Sequence, residues 1–270
     1  SCTTVYVRTS NVGSLPATSC SGATAANYSF TYTSGSVVIE KKTLTVTASS
    51  HSVTYGDAKP TVSPSYDGFV NSQNATALTT APTCDTTYST TSGFGTVAST
   101  CSGGVATNYS FSFTPGVISV AKKTLTVTAS SHIVTYGDSA PSPTPSYDGW
   151  VNSQGVGAIT TAPTCTTAYT NTTAVASSGI ATSCSGGLAA NYAFTFVTGA
   201  ITINAKGVVV TASSPTVTYG DAVPSITPSY GDFVNGQSST VVSNTSCTTV
   251  YVRTSNVGSL PATSCSGATA

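Results

Sequence analysis

The side chains able to do acid–base or metal chemistry are few. In 270 residues there are eight carboxylates, Glu40, Asp57, Asp67, Asp85, Asp138, Asp148, Asp221 and Asp232, two histidines, and eight cysteines. Most of the carboxylates recur as Tyr-Gly-Asp or Tyr-Asp-Gly, where aspartate beside glycine is turn chemistry. A Ser-His-Asp relay would need His51 or His132, yet Pro215 takes that place when the surrounding motif returns a third time. The glycines of "TCSGGVATNY" are followed by no lysine and no helix pattern, so no phosphate loop is present. Two carboxylates per repeat fall short of the six to eight oxygens calcium prefers. These residues predict no catalytic group, no cofactor and no metal, and hence a protein that is not an enzyme.

The cysteines carry the one strong chemical signal. They fall as Cys2 and Cys20, Cys84 and Cys101, Cys165 and Cys184, Cys247 and Cys265. There is no Cys-x-x-Cys, and two histidines cannot complete a zinc site in each pair. Each pair brackets two strand-like segments, and adjacent antiparallel strands would set the sulfurs side by side. A closed loop of this size contributes ~3 kcal/mol in the chain-entropy picture. Four disulfides imply an oxidising, extracellular or cell-surface setting.

The elements that position these pairs are repetitive. "KKTLTVTASSHSVTYGD" (41–57) returns as "KKTLTVTASSHIVTYGD" (122–138) and, more loosely, as "AKGVVVTASSPTVTYGD" (205–221). Each copy continues into Pro-Ser-Tyr, a "GFVNSQ", "GWVNSQ" or "DFVNGQ" segment, and a cysteine. In the first two copies the second cysteine is followed by "NYxFxF". The segments read as the C-terminal half of a repeat (1–42), two complete repeats (43–123 and 124–206) and a truncated one (207–270). Residues 246–270 are identical to 1–25. That identity is the expected signature of a window on a longer periodic chain. The half-repeat 1–42 should expose strand edges, completed by covalent continuation or by a strand from a neighbour.

Within a repeat, strand signals dominate. Leu44, Val46 and Ala48 alternate with threonine, and Tyr109, Phe111 and Phe113 alternate with serine in the same way. Six or seven short strands are expected per repeat, with one short helical turn within Asn71–Leu78. "GVISVAKKTLTVTA" runs from one repeat into the next without a Gly/Ser/Pro linker, which predicts fixed angles and an elongated rod. Lys41-Lys42 and Lys122-Lys123 at these junctions read as a solvated polar face. The Ser/Thr-rich stretches between the cysteines vary most, which suits a tolerant surface loop or tuned ligand contacts.

Composition narrows the class further. Only 6% of residues are charged and the formal net charge is zero, while 95 are serine or threonine. A neutral chain with two arginines has no footprint for nucleic acid. No apolar run reaches the ~20 residues of a membrane span. Lys59 occurs in one repeat alone, which disfavours a recurring Lys–Asn crosslink. Tyr66, Tyr109, Tyr147 and Trp150 could stack on sugars but read more simply as core. The sequons at Asn27, Asn74, Asn108, Asn171 and Asn244 read as fortuitous.

The order "LTVTASSxxVTYGD", "PSYxGFVNxQ", "APT", a Gly/Ser loop, "NYxFxF" and "GxIxVxKK" resembles the MBG-type tandem repeats with the YGD motif, found in bacterial surface and secreted adhesin-like proteins. The cysteine pair, and "YGDF" at 230–233 in place of "YDGF", depart from the pattern. The resemblance implies an all-β fold, either a small immunoglobulin-like sandwich or a β-grasp-like domain of about 80 residues with one disulfide each. It implies a structural or adhesive role. Partners would be the chain itself, as neighbouring repeats or fibre subunits, or alternatively glycans, host proteins or cell surfaces.

Overall fold

The computed structural model describes residues 1–270. It is all β, broken only by single 3-10 turns. Residues 1–42 contribute β1 (Cys2–Thr4), β2 (Ala17–Cys20) and β3 (Gly35–Ser36). The first complete repeat has seven strands, β4 (Lys42–Ala48), β5 (His51–Thr54), β6 (Pro64–Asp67), β7 (Thr83–Thr86), β8 (Gly95–Ser102), β9 (Tyr109–Thr114) and β10 (Gly116–Ala121). They form two sheets of order β6-β4-β9 and β5-β10-β8-β7.

A change of sheet organises this repeat. The β4 strand runs parallel to β9 in one sheet. The chain then turns at Ser49-Ser50, and β5 runs parallel to β10 in the other sheet. The last strand pair makes the same change at Pro115-Gly116. Here the two backbones touch: a Cβ on Gly116 would lie 2.4 Å from the Ala48 carbonyl and 2.6 Å from Ser99 Oγ. Only glycine fits. The inward positions Leu44, Val46, Ala48, Ile118 and Val120 are buried, as the period-2 pattern requires.

The second repeat follows the same plan with β11 (Lys123–Ala129), β12 (His132–Thr135), β13 (Pro145–Asp148), β14 (Ile159–Thr161), β15 (Thr164–Thr167), β16 (Ile180–Ser185), β17 (Leu188–Ala189), β18 (Tyr192–Val197) and β19 (Gly199–Asn204). Its sheets are β13-β11-β18 and β12-β19-β16-β15, with β14 pairing β17. Cys184 packs on Val127 and Ala129, so the disulfide of one sheet meets the strand of the other. Residues 207–270 form β20 (Val210–Ala212) paired with β21 (Pro228–Tyr230), and β22 (Ser246–Thr249) paired with β23 (Thr263–Ser266). Packing divides the chain into two compact units, 1–125 with 149–161 and 188–193, and 126–148 with 162–187 and 194–270.

The expected helical turn is shorter than Asn71–Leu78. Asn71 and Ser72 both take positive φ (56° and 61°), and Gln73 N–H closes on the Val70 carbonyl at 3.0 Å. That is a type I′ turn. A single 3-10 turn, Ala75–Ala77, follows under an Asn74 cap. A β-grasp needs a helix laid across its sheet. The two-sheet arrangement is a sandwich instead.

Candidate functional site: the junctions between repeats

All eight cysteines are paired, 2 with 20, 84 with 101, 165 with 184 and 247 with 265, each with Cα atoms 4.0 Å apart. In each case the two residues are direct partners across an antiparallel ladder. Around Cys2–Cys20 the alternate rungs are the bonded ones: Ser21 N–H donates to Ser1 O one rung to one side, and Val5 N–H to Ala17 O three rungs to the other. The cysteines therefore occupy a rung without backbone hydrogen bonds, where side chains stand closest.

The aspartates of the Tyr-Gly-Asp motif close turns. Asp57 Oδ2 accepts the Thr54 N–H at 2.7 Å, with Asp138 and Asp221 doing the same for Thr135 and Thr218 at 2.8 Å. The carbonyl of each aspartate accepts a phenol from the loop between the cysteines: Tyr88 OH at 2.9 Å, Tyr169 at 3.0 Å and Tyr251 at 3.2 Å. Burial, assisted by the nearby aspartate charge, raises the Tyr88 and Tyr169 phenols above their ordinary pKa. Each loop then makes a β-turn whose fourth residue, Ser10, Ser92, Thr173 or Ser255, caps its first N–H. The loop sequence varies, but that hydroxyl recurs.

These loops meet the next repeat. Asn71 Nδ2 donates to the Arg8 carbonyl at 2.9 Å, Asn152 to Thr90 at 2.8 Å and Asn235 to Asn171 at 2.7 Å. All three asparagines have φ near +55°, the turn conformation that aims them outward. The turns are held from beneath: Tyr192 OH donates to Gln154 Oε1 at 2.7 Å and accepts the Val151 N–H at 3.3 Å. Tyr109 does the same for Gln73 and Val70. The residue before Asn152 and before Asn235 fills the preceding repeat's Tyr-Gly-Asp turn. A Cβ on Gly56 would sit 2.7 Å from Val151, and one on Gly137 2.6 Å from Val234.

A second set of contacts recurs beside it. Asn108 Oδ1 accepts the Val12 N–H at 2.9 Å, and Asn191 Oδ1 accepts the Phe94 N–H at 2.9 Å. Lys41 Nζ donates to the Ala106 carbonyl and Lys122 Nζ to Ala189, both at 2.9 Å. Lys122 also lies 5.4 Å from the Phe94 ring centroid. Tyr55 and Tyr192 meet edge to face at 5.6 Å.

Several sequence readings change here. The first lysine of each junction pair reaches across to a carbonyl and is not simply solvated. The variable inter-cysteine loop is contact surface, and its variability reflects the use of backbone carbonyls as acceptors. The Asn108 sequon is spent on the junction, and Asn74 on its cap. The recurring Val-Asn-Ser/Gly-Gln was the available signal for the junction.

Other candidates resolve simply. Tyr109 is buried and Trp150 packs on Tyr192 at 5.1 Å. His51 and His132 bond Ser49 and Ser130. In the third repeat Ser213 still accepts the Thr227 N–H at 2.9 Å beside Pro215, so the serine is the recurring element. Lys59 pairs with Asp85 at 2.7 Å on the surface, and that hydrogen bond, with the Thr86 N–H, lowers the Asp85 pKa. No three His, Cys, Asp or Glu side chains gather where they could hold a metal. No helix is long and apolar enough to cross a membrane.

The three Tyr-Gly-Asp turns, each with its strand before and its disulfide loop behind, are one domain repeated. The profile of the MBG domain (YGX type) matches residues 44–119, 125–202 and 208–270. The chain belongs to the MBG domain family. Its Tyr-Gly-x positions are Tyr55-Gly56, Tyr136-Gly137 and Tyr219-Gly220, and in the first two MBG domains the glycine is where the next domain docks. No curated protein matches the sequence. The "YGDF" departure is accommodated in the third MBG domain because Asp232 takes φ +63°, which aspartate tolerates better than most residues.

Proposed function

We propose that this chain is an extracellular structural protein, a tandem array of disulfide-stapled MBG domains that builds a fibre or stalk. The observation that carries this reading is the recurrence of one junction: three times an asparagine of one repeat donates to the loop carbonyl of the repeat before it. A repeated junction gives a repeated angle, and a repeated angle gives a regular polymer. A single residue, Lys122, separates β10 from β11, which leaves no length for a flexible linker. The disulfides favour an oxidising location outside the cell. The role is mechanical and not enzymatic, with the Tyr-Gly-Asp carboxylates engaged in closing turns. Electron microscopy of native material without reductant tests it. Long uniform fibres with an axial repeat of three domains are expected; flexible beads or compact particles would overturn the reading.

A second reading is an adhesin whose repeats bind glycans. Phe113 and Phe196 favour it, since they occupy the same position in both complete repeats and are each 39% exposed. An exposed aromatic is a platform for a sugar face. Glycan-array binding lost in the Phe113→Ser/Phe196→Ser variant would support it.

A further inference from the structure

The three junction asparagines differ in the residue that follows them. Asn71 and Asn152 precede serine, whereas Asn235 precedes Gly236, the one Asn-Gly pair in the chain. The difference bears on covalent chemistry. An asparagine side-chain carbonyl carbon is an electrophile, and the backbone nitrogen of the next residue is the nucleophile nearest to it in sequence. Glycine carries no Cβ to obstruct their approach and lets the backbone turn freely. Asn235 and Gly236 are both exposed, so water reaches the site. Asn71 and Asn152 are exposed as well. Exposure is therefore common to the three junctions, and the following residue is what sets the third apart.

The folded turn holds this chemistry back. Asn235 and Gly236 take φ of +54° and +71°, and Gln237 N–H closes on the Val234 carbonyl at 3.0 Å. That is the type I′ turn again, in which the first central residue has ψ of about +30°. At that ψ the next nitrogen stands on the far side of the Cα–C bond from Cβ, and ring closure needs it on the near side. The side chain is tethered too, since Nδ2 donates to the Asn171 carbonyl at 2.7 Å. Val234, seated on Gly137 of the repeat before, fixes the turn from its other end. The reaction requires the junction to open first.

We propose that Asn235 is a deamidation site, gated by its own junction, that converts a transient opening of that junction into a permanent one. In the open turn the Gly236 nitrogen attacks Asn235 Cγ. The Cγ–Nδ2 bond breaks, and ammonia leaves with the proton from the Gly236 nitrogen. The product is a five-membered succinimide. Water then adds to either ring carbonyl and breaks its bond to nitrogen, which leaves an aspartate or an isoaspartate. Either product has lost the donor to Asn171. Its carboxylate would face the Asn171 carbonyl oxygen, and two acceptors repel. The isoaspartate also lengthens the backbone inside a turn closed by a single hydrogen bond. The first two junctions, with serine after asparagine, lack this latch. The inference concerns the junction alone and holds whether or not the array builds a fibre.

The test incubates the disulfide-intact 270-residue chain and follows the peptides containing residues 71, 152 and 235 by mass spectrometry. In urea, Asn235 should gain about 1 Da at least about tenfold faster than Asn71 and Asn152, the change that roughly 1.4 kcal/mol off a barrier produces. Gly236→Ser should abolish that lead. This variant folds into the same turn, since Ser72 and Ser153 hold positive φ at the equivalent position. In native buffer the Asn235 reaction should slow, and Val234→Ala, which loosens the seat on Gly137, should restore much of the urea rate. Purified deamidated chain should then exchange amides at 170–173 and 234–237 about fivefold faster, as expected for the loss of one neutral hydrogen bond. Equal rates at the three asparagines in urea would remove the site. A native rate equal to the urea rate, or one that Val234→Ala leaves unchanged, would remove the gate. Unaltered exchange in the deamidated chain would show that the junction survives the reaction, and would overturn the latch.

Discussion

Gly56, Gly137 and Gly220 share one backbone conformation, with φ of +92°, +95° and +89°, yet differ in what lies above them. Val151 and Val234 cover the first two, and nothing lies within 4 Å of the third. Gly220→Ala therefore measures backbone strain alone, expected at about 1–2 kcal/mol. Gly56→Ala adds a collision with Val151 and should cost roughly 1–3 kcal/mol more. Thermal unfolding of the two variants checks the difference; equal losses would mean that the valine is not seated in the turn. The phenols make a second residue-scale prediction. Tyr88 and Tyr169 are raised in the folded state, so the folded chain holds these protons more tightly than the unfolded one. Their contribution is intact below the unfolded phenol value of about 10 and is lost as pH rises through the higher folded values. A phenolate also cannot donate to the Asp57 or Asp138 carbonyl. Stability should fall steeply above about pH 10, and less steeply in Tyr88→Phe/Tyr169→Phe. A parallel fall in the double variant would assign the alkaline loss to other groups.

At the scale of elements, the disulfide hairpin does two jobs. It ties β7 to β8 and it presents Thr90 and Phe94 to the next repeat. Replacing Cys84 and Cys101 by alanine should cost about 3 kcal/mol and speed amide exchange in residues 89–94 before the rest of the repeat opens. Exchange that rises uniformly would show that the hairpin is not an independent element. The hairpin was legible in the sequence because a covalent pair leaves two identifiable residues at constant spacing. So was β4, whose Leu44-Val46-Ala48 alternation is a local pattern. The change of sheet at Ser49-Ser50 was not, because the alternation continues smoothly while the partner of β5, Ile118–Ala121, lies more than 60 residues away. The Asn71–Leu78 segment was half legible: asparagine and serine signal either a helix cap or a turn, and positive φ at both Asn71 and Ser72 decides for the turn. The junction itself was hidden because its acceptors, Arg8, Thr90 and Asn171, contribute carbonyls. A backbone acceptor imposes no residue type, so the most variable loop became the contact surface.

Across the whole molecule, stability should behave as a chain of neighbours, each repeat adding its own term and one term per junction. Charge contributes little to either. One ion pair, Lys59–Asp85, is present and lies in the open, where solvent screens it. The junction depends on neutral hydrogen bonds, lysine–carbonyl bonds and a valine in a glycine turn, so moderate salt should leave it in place. Asn152→Gly separates the junction from the domain. Glycine keeps the positive φ of the turn but removes the donor to Thr90, a loss of about 1 kcal/mol. If repeats are coupled through their junctions, amide exchange should quicken on both sides, in the 149–154 turn of one MBG domain and in the 89–92 loop of the one before it. Residues 235 and 171, which make the same contact one repeat further on, should keep their protection. Quickening confined to 149–154 would show that the loop carbonyl gains nothing from its neighbour, and the repeats would then behave as independent beads whose order along the chain has no mechanical consequence.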